Sequence, residues 1–463
     1  MSIPTTQNNI KGGMMHCLTF VLFAVAVGVA TCQVGWAQLT ASASASSERL
    51  ARAEGLRKLI AEKVAAIEPK VIAWRRDLHQ HPELSNREFR TAKVVAEHLK
   101  SLGLEVQTGI AHTGVVGLLR GAKPGKVVAL RADMDALPVT EETGLPFASK
   151  VRTTYNGQEV GVMHACGHDC HTAILMGVAE ILAGMKNELR GTVKFIFQPA
   201  EEGAPAGEEG GAELMIKQGV LENPKPDAIF GLHVFAGLES GKIAYRPGPT
   251  MAAVDNLEIT IKGRQTHGAK PWAGIDPIVV SSQVVLGLQT IVSRQVDVTA
   301  EPSIITIGSI HGGVRHNIIP DSVHMLGTIR TFNEEMQNDI HARIRQTSES
   351  IAKSVGAHAR VTIRKLYPVT HNDERLTAQM LPSLERVAGK DNVMTISKLT
   401  GSEDFSFYQK KIPGFFFFVG VTPKSDLRTA AANHSPRFYV DESALQVGLK
   451  AMLQVALDFL ESP

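Results

Sequence analysis

Several stretches of this chain are apolar from end to end, and that constrains the fold more than any other feature. Val127–Arg131 is nearly all apolar and follows Gly125; Val193–Gln198 and Ala228–Val234 repeat the pattern. Gly414–Val419 carries four consecutive phenylalanines. A strand with one wet face alternates polar and apolar residues, whereas a strand covered on both faces does not. These runs, with Val115–Leu119, therefore read as strands of a parallel or mixed sheet. The segments between them have helical spacing. In Glu54–Leu78 the residues Leu56, Leu59, Ile60, Val64, Ile67, Val71 and Trp74 recur every three or four positions. Asn86–Leu102, His171–Met185 and Glu442–Leu460 are further helices. Alternating strands and helices predict an α/β sandwich with helices on both faces of the sheet.

The middle of the chain has a different order. Asn256–Lys262 reads as a strand, Pro277–Arg294 as a helix, Ser303–Ile310 and Ser322–Thr331 as strands, Glu334–Val355 as a helix and Ala359–Lys365 as a strand. This β-α-β-β-α-β order is that of a ferredoxin-like module. At 463 residues the chain exceeds what one core usually supports. The expected organisation is a discontinuous α/β catalytic domain over 53–249 and 366–463, with the module inserted at 250–365.

Composition excludes some functions. The net charge of +2, with 44% hydrophobic and 20% charged residues, gives no electrostatic reason to expect a nucleic-acid partner. The N-terminus departs from the rest. Lys11 precedes an apolar run from Met14 to about Ala30, and Gly35 and Ala37 sit as −3 and −1 before Gln38. The reading is a signal peptide over 1–37, a Ser/Ala-rich leader over 38–52, and a periplasmic or secreted protein without a membrane span after processing. An uncleaved anchor is the alternative, and Cys32 is a candidate lipid-attachment site although Thr31 stands where a smaller residue is expected. Of the four cysteines, Cys17 and Cys32 precede the cut, leaving Cys166 and Cys170. Two cysteines four apart in a Gly/His-rich segment suit chemistry better than stapling.

That segment, Gly161-Val-Met-His-Ala-Cys-Gly-His-Asp-Cys-His171, holds three histidines, two cysteines and an aspartate between His164 and His171. Thiolate and imidazole are natural ligands of zinc and similar divalent ions. Gly167 permits the turn that brings Cys166 and His168 to one point. In Phe197-Gln-Pro-Ala-Glu-Glu-Gly203 two carboxylates follow a buried strand, so one can ligate and the other can serve as general base. An isolated Glu-Glu pair is usually a solvated loop, but α/β sheets bind ligands beyond their strand ends. Asp133 and Asp135 leave another buried strand, where carboxylates are costly unless paired or near a cation. One of them is placed to orient a metal-bound histidine. His233, in an otherwise apolar strand, and His434, in Ala432-Asn-His-Ser-Pro436, mean little alone.

Together these segments resemble the aminoacylase, hippurate hydrolase and auxin-conjugate hydrolase group of co-catalytic metallopeptidases. The matching strings run from Trp74-Arg-Arg-Asp-Leu-His-Gln-His-Pro-Glu83 through Gly401-Ser-Glu-Asp-Phe405 to His434. The resemblance implies two divalent ions per subunit (zinc, manganese, cobalt or nickel) and hydrolysis of an N-acyl amino acid by a shared water. It implies Cys166, His168, Glu202, His233 and His434 as ligands, Glu201 as general acid/base and Asp135 as the aspartate behind a ligand. Asp133 stands where the broader clan has a histidine ligand, and His171 fits the motif behind the ligands. In the inserted module, His267-Gly-Ala-Lys-Pro271 resembles a lid motif whose histidine polarises the substrate carbonyl in the other subunit of a homodimer. Asn317 and Arg330 resemble residues that hold the substrate carboxylate. Alternative functions are a dipeptidase or carboxypeptidase with the same ions, and a metal-bearing binding protein without turnover.

Overall fold

A computed structural model of the chain describes residue 55 and residues 58–462. The proposed signal peptide, the leader, Cys17 and Cys32 lie outside the described residues. Helical backbone runs over 58–80 (α1), and the unit that carries the site starts at Val64. Helix α2 (Phe89–Ser101) leads to strands β1 (Glu105–Ile110), β2 (Gly114–Arg120) and β3 (Lys123–Asp133). A hairpin of β4 (Arg152–Tyr155) and β5 (Gln158–Gly161) precedes α3 (His168–Ala183) and β6 (Arg190–Gln198). Helix α4 (Gly211–Lys217) and strands β7 (Ala228–Glu239), β8 (Ile243–Tyr245) and β9 (Gly248–Met251) follow.

The next elements are β10 (Ala253–Lys262), β11 (Thr266–His267), α5 (Pro277–Thr290), β12 (Ser303–Gly312), β13 (Ile318–Ile319), β14 (Ser322–Thr331), α6 (Glu334–Ser354) and β15 (His358–Tyr367). Strands β12-β14-β10-β15 form one antiparallel sheet in that order. Its core is its own, with Leu257, Ile259 and Ile261 of β10 packed against Val284 and Leu288 of α5 and Ile340 and Ile344 of α6. The chain closes with β16 (Thr370–Asn372), α7 (Glu374–Ala388), β17 (Val393–Thr395), α8 (Ser406–Gln409), β18 (Gly414–Thr422) and α9 (Ala444–Glu461).

The large sheet is mixed and eight-stranded, in the order β1-β2-β6-β3-β7-β18-β8-β17. Strands β6, β3, β7 and β18 run parallel at its centre. Helices flank it, as the apolar runs require. The phenylalanines of β18 alternate sides: Phe416 and Phe418 join the cluster under α4 and α8, while Phe415 packs edge-on to Tyr245. Every residue of β18 is buried.

Two boundaries differ from the sequence reading in ways that matter. Helix α3 starts at His168 rather than His171, so His168 sits in its first turn. Strand β3 extends to Asp133, which puts that carboxylate in the sheet and Asp135 just beyond it. Helix α7, which the periodicity did not announce, carries Pro382 in its interior. Proline removes an amide donor there and blurs a helical signature. Among the described residues no helix is long and apolar enough to cross a membrane.

Candidate metal centre and active site

The candidate ligands converge at the C-terminal ends of the central parallel strands. Cys166 and His168 flank Gly167, whose φ of +97° is left-handed. A Cβ at Gly167 would lie 2.2 Å from the Val234 side chain. Only glycine fits, and the turn it makes puts Cys166 Sγ 3.3 Å from His233 Nε2. His434 is also left-handed, at φ +71°. Its amide donates to the Ala165 carbonyl at 2.8 Å, and Asn433 bonds the carbonyls of Cys166 and Val234. The His434 ring thereby reaches Cys166 Sγ and Glu202 Oε1, each at 3.2 Å.

Hydrogen bonds on the far ring nitrogens fix which lone pairs face inward. His168 Nδ1 donates to Asp135 Oδ1 at 3.2 Å, and His233 Nδ1 donates to the Val234 carbonyl at 2.7 Å. Each Nε2 is then the acceptor atom. His168 Nε2 is buried and has no hydrogen-bond partner, and Glu202 Oε1 is buried and meets the His434 ring. Both point into the same space. Asp135 is held in turn by Ser85 Oγ at 2.7 Å and the Glu202 amide at 3.0 Å.

Five groupings of ligand atoms share corners here, and three of them are built from the candidate ligands and Glu201: Cys166–His168–His233, Cys166–Glu202–His434 and His168–Glu201–Glu202. Within each grouping the atoms lie within 4.8 Å of one another, which suits cations bound by nitrogen, sulfur and oxygen. The orphaned His168 nitrogen, with the Glu202 oxygen near it, fits such ions. His171 differs. Its Nδ1 donates to Asp133 at 2.6 Å and its Nε2 accepts the Val234 amide at 2.8 Å, so both nitrogens are engaged. Asp133 is further held by Arg131 at 2.6 Å. This pair braces strand β3 against α3.

Sequence reasoning did not single out Arg131 or Glu88. Arg131 is fully buried and binds Asp133, Glu403 and Asp404. The one signal was an arginine within an apolar strand, which demands acidic partners. Those partners are the Glu403-Asp404 pair of the Gly401–Phe405 string. The Trp74–Glu83 string has an analogous role: Arg75 and His79 both bind Asp169 in the first turn of α3. Glu83 accepts the Arg90 and Thr91 amides at the start of α2.

Electrostatics separates the carboxylates. Burial, then Glu403, Glu202 and Asp404, pushes Glu201 well above the usual carboxylate range. Burial acts against a charged His168, but Asp133 and Asp135 carry its imidazole up to about 10. Burial, with Glu202 and Glu201 next, raises the Cys166 thiol. A cation in the centre opposes each of these trends.

Glu88 is wholly buried and accepts the Ala200 amide at 2.9 Å and the Thr113 hydroxyl at 2.5 Å. Burial and then Asp135 push its carboxyl up to about 8, from an ordinary 4.5. Between those values Glu88 holds its proton in the folded chain and releases it in the unfolded one, so the contribution of this carboxyl to stability falls as pH rises and levels off above 8. Glutamine has no such titration. Glu88→Gln is therefore expected to gain up to about 2–3 kcal/mol over wild type between about pH 6 and pH 8. Urea unfolding of the metal-free proteins checks this; a pH-independent difference sinks it.

The remaining candidates lie in the inserted segment. His267 is exposed on β11, whose ladder partner is β13, and its Nδ1 accepts the Ala269 amide. Asn317 adjoins it through the Gly268 amide, which donates to the Asn317 carbonyl. No candidate ion grouping among the described residues includes either. Arg330, on β14, donates to Ser402 Oγ at 3.1 Å.

Residues 129–458 match the sequence pattern of peptidase family M20/M25/M40. The chain belongs to this M20 family. It is 42% identical over 398 residues to thermostable carboxypeptidase 1 of Saccharolobus solfataricus, covering 86% of this chain and 97% of that one. It is 39% identical over 400 residues to N-acetylcysteine deacetylase of Bacillus subtilis, covering 86% and 98%. The crystal structure of the Bacillus subtilis YXEP protein, described as a dinuclear metal binding M20 peptidase, matches with a TM-score of 0.71. Its identity is 38%, over 86% of this chain and 100% of that one. The M20 chain is thus an enzyme of the metal-dependent amidohydrolase and peptidase class.

One expectation is corrected. The apolar run after Lys11 suggested an exported, periplasmic or secreted protein. The M20 relatives, such as the N-acetylcysteine deacetylase, are not evidently exported, and the segment itself lies outside the described residues. Hydrophobic length and small residues before Gln38 are compositional signals, and they do not by themselves establish processing.

Proposed function

We propose that this M20 enzyme hydrolyses the amide bond of N-acyl amino acids. The carrying observation is Glu201: a buried carboxyl held beside a converging set of ligand atoms, one of which, His168 Nε2, has no hydrogen-bond partner. A pure metal carrier has no use for a raised carboxyl at that place. Cys166, His168, Glu202, His233 and His434 would hold two divalent ions, which supply Lewis acidity toward water and the scissile carbonyl. Glu201 removes a proton from the attacking water and returns it to the leaving nitrogen. Asp135 keeps His168 oriented through its Nδ1 proton.

In this reading 53–249 and 366–463 form the catalytic domain and 250–365 is a ferredoxin-like lid and dimerisation domain. The strand order β12-β14-β10-β15, with α5 and α6, supports it. Edge strand β12 exposes Ile304 and Ile310, and α5 exposes Ile278, Val279 and Leu286. A long apolar edge invites pairing with a second copy. His267 of one subunit would then polarise the substrate carbonyl in its partner. Arg330 and Asn317 would hold the amino-acid carboxylate, a task suited to a guanidinium fork.

A peptidase reading is favoured by the similarity to a carboxypeptidase. Kinetics on protein loaded separately with zinc, manganese, cobalt and nickel separates the two. N-acetyl- and N-benzoyl-amino acids are expected to exceed the matching dipeptides in kcat/KM by about tenfold or more. Faster cleavage of dipeptides would overturn the proposal.

A further inference from the structure

The loop that carries Glu201 has an unusual backbone. Ala200, just before it, is left-handed at φ +54° although it is not glycine. Such a conformation persists only where its surroundings over-determine it. Three hydrogen bonds do so here, one to each of three consecutive residues. Glu88 accepts the Ala200 amide at 2.9 Å, and Asp135 accepts the Glu202 amide at 3.0 Å. The third comes from a different part of the fold: the Tyr367 hydroxyl donates to the Glu201 carbonyl at 2.7 Å. The Glu201 carboxyl itself has a weaker hold, accepting the Asp404 amide at 3.4 Å. Its direction is therefore set mainly by its backbone.

Tyr367 is the last residue of β15, the strand by which the chain leaves the four-stranded sheet. The β10–β15 ladder shifts register just there. Asp255 pairs with Lys365 but Val254 pairs with Tyr367, so Leu366 is an extra residue. A bulge of this kind re-aims the side chain beside it. It sets Tyr367 opposite Val254, whose other partner is Arg330 of β14. The ring is held edge-on to Phe407, with centroids 6.0 Å apart. Burial, then Asp404 and Glu201, pushes the Tyr367 phenol well above its ordinary value, so it stays protonated and donates. Other contacts between the four-stranded sheet's segment and the large-sheet half run elsewhere. Arg330 with Ser402, Lys398 with Glu301 and Lys410 with Glu334 all meet the stretch 398–410.

We propose that Tyr367 is a positioning residue for Glu201: its hydroxyl fixes the carbonyl of the base and thereby the line along which the carboxyl meets water. The inference rests on the reading of Glu201 as the base, and not on the identity of the substrate. Without the hydroxyl, the peptide plane after Glu201 loses its hold on the carbonyl side. A misplacement of about 1 Å at a reacting group costs up to about 10²-fold in rate. The hydroxyl touches none of the candidate ligand side chains, so the loss falls on kcat rather than on metal or substrate binding.

Tyr367→Phe keeps the ring and removes the hydroxyl. The test uses the metal-loaded full chain and an N-acetyl amino acid or the matching dipeptide, whichever is turned over faster. For Tyr367→Phe, kcat is expected to fall by about tenfold or more while KM changes by less than about twofold. Expressing kcat per metal-loaded molecule keeps partial unfolding from counting as a loss. Lys398→Ala severs the pair with Glu301, away from the Glu201 loop. It is expected to keep kcat within about twofold of wild type. Adding Tyr367→Phe to Glu201→Gln should cost nothing further, because the hydroxyl acts through the carboxyl. An unchanged kcat in Tyr367→Phe, an equal loss in Lys398→Ala, or losses that multiply in the double variant overturn the assignment and leave Glu201 as the base. Near-normal turnover in Glu201→Gln overturns that reading and this inference with it.

Discussion

Glu201→Gln is expected to keep its bound ions and lose about 10²–10⁴-fold in kcat. The substitution keeps the shape of a side chain that is 6% exposed and removes only its ability to take a proton. Its backbone anchors survive: Tyr367 donates to the Glu201 carbonyl at 2.7 Å and the Glu202 amide donates to Asp135. The hydrogen bonds that place His168, His233 and His434 run to Asp135, Val234 and Ala165 rather than to the Glu201 side chain. Parallel measurement of kcat and of metal content by elemental analysis separates chemistry from binding. Near-normal turnover in a metal-replete variant removes Glu201 as the base; loss of metal in step with activity would make it a ligand instead.

Arg131→Leu should be the most damaging single change to stability. The guanidinium is the shared cation of Asp133, Glu403 and Asp404, with contacts of 2.6, 2.9 and 2.9 Å. Its charge is held firmly: burial disfavours it, but Glu403, Asp133 and Asp404 together raise its pKa well above the ordinary value. Leucine leaves these carboxylates, and Glu201 beside them, buried without their counter-ion. Breaking a buried pair from one side costs about 3–5 kcal/mol, read here as the drop in urea-unfolding free energy at neutral pH. Adding Glu403→Gln and Asp404→Asn to the leucine variant should recover part of the loss, because the stranded charges are then gone. A single-variant loss below about 1 kcal/mol would mean that the network is not electrostatically closed around Arg131.

The site was legible where its chemistry is local. Cys166 and His168 are separated by one glycine, and Glu201 and Glu202 follow closely on a strand whose apolar character marks it. The mixed sheet was legible for the same reason: strands such as β18 have no polar face to confuse the pattern. His434 was legible only through the family resemblance, because its partner Cys166 is 268 residues away and its own neighbourhood is an ordinary polar turn. Glu88 was hidden for a related reason. In the sequence it looks like a solvated residue near the start of a helix, and only the return of Thr113 and Ala200 buries it. Arg131 carried a signal that went unused, since a charge inside a doubly covered strand must be neutralised from elsewhere in the chain. The leader shows the opposite failure, in which a clear compositional pattern did not establish the destination read from it.

The position of β18 has a consequence for how the protein is made. It is the last strand of the large sheet in sequence, yet it lies between β7 and β8 near the sheet's centre. On the ribosome, β7 emerges with its open edge unsatisfied and waits for nearly two hundred further residues, on the order of ten seconds or more at ordinary elongation rates. The inserted segment can close its own sheet during that interval, whereas the nascent catalytic half cannot. An unpaired apolar edge held open for that long is a target for holding chaperones. Yield in a heterologous host is therefore expected to depend on elongation speed through the 250–420 stretch more than on the rate of the final zippering.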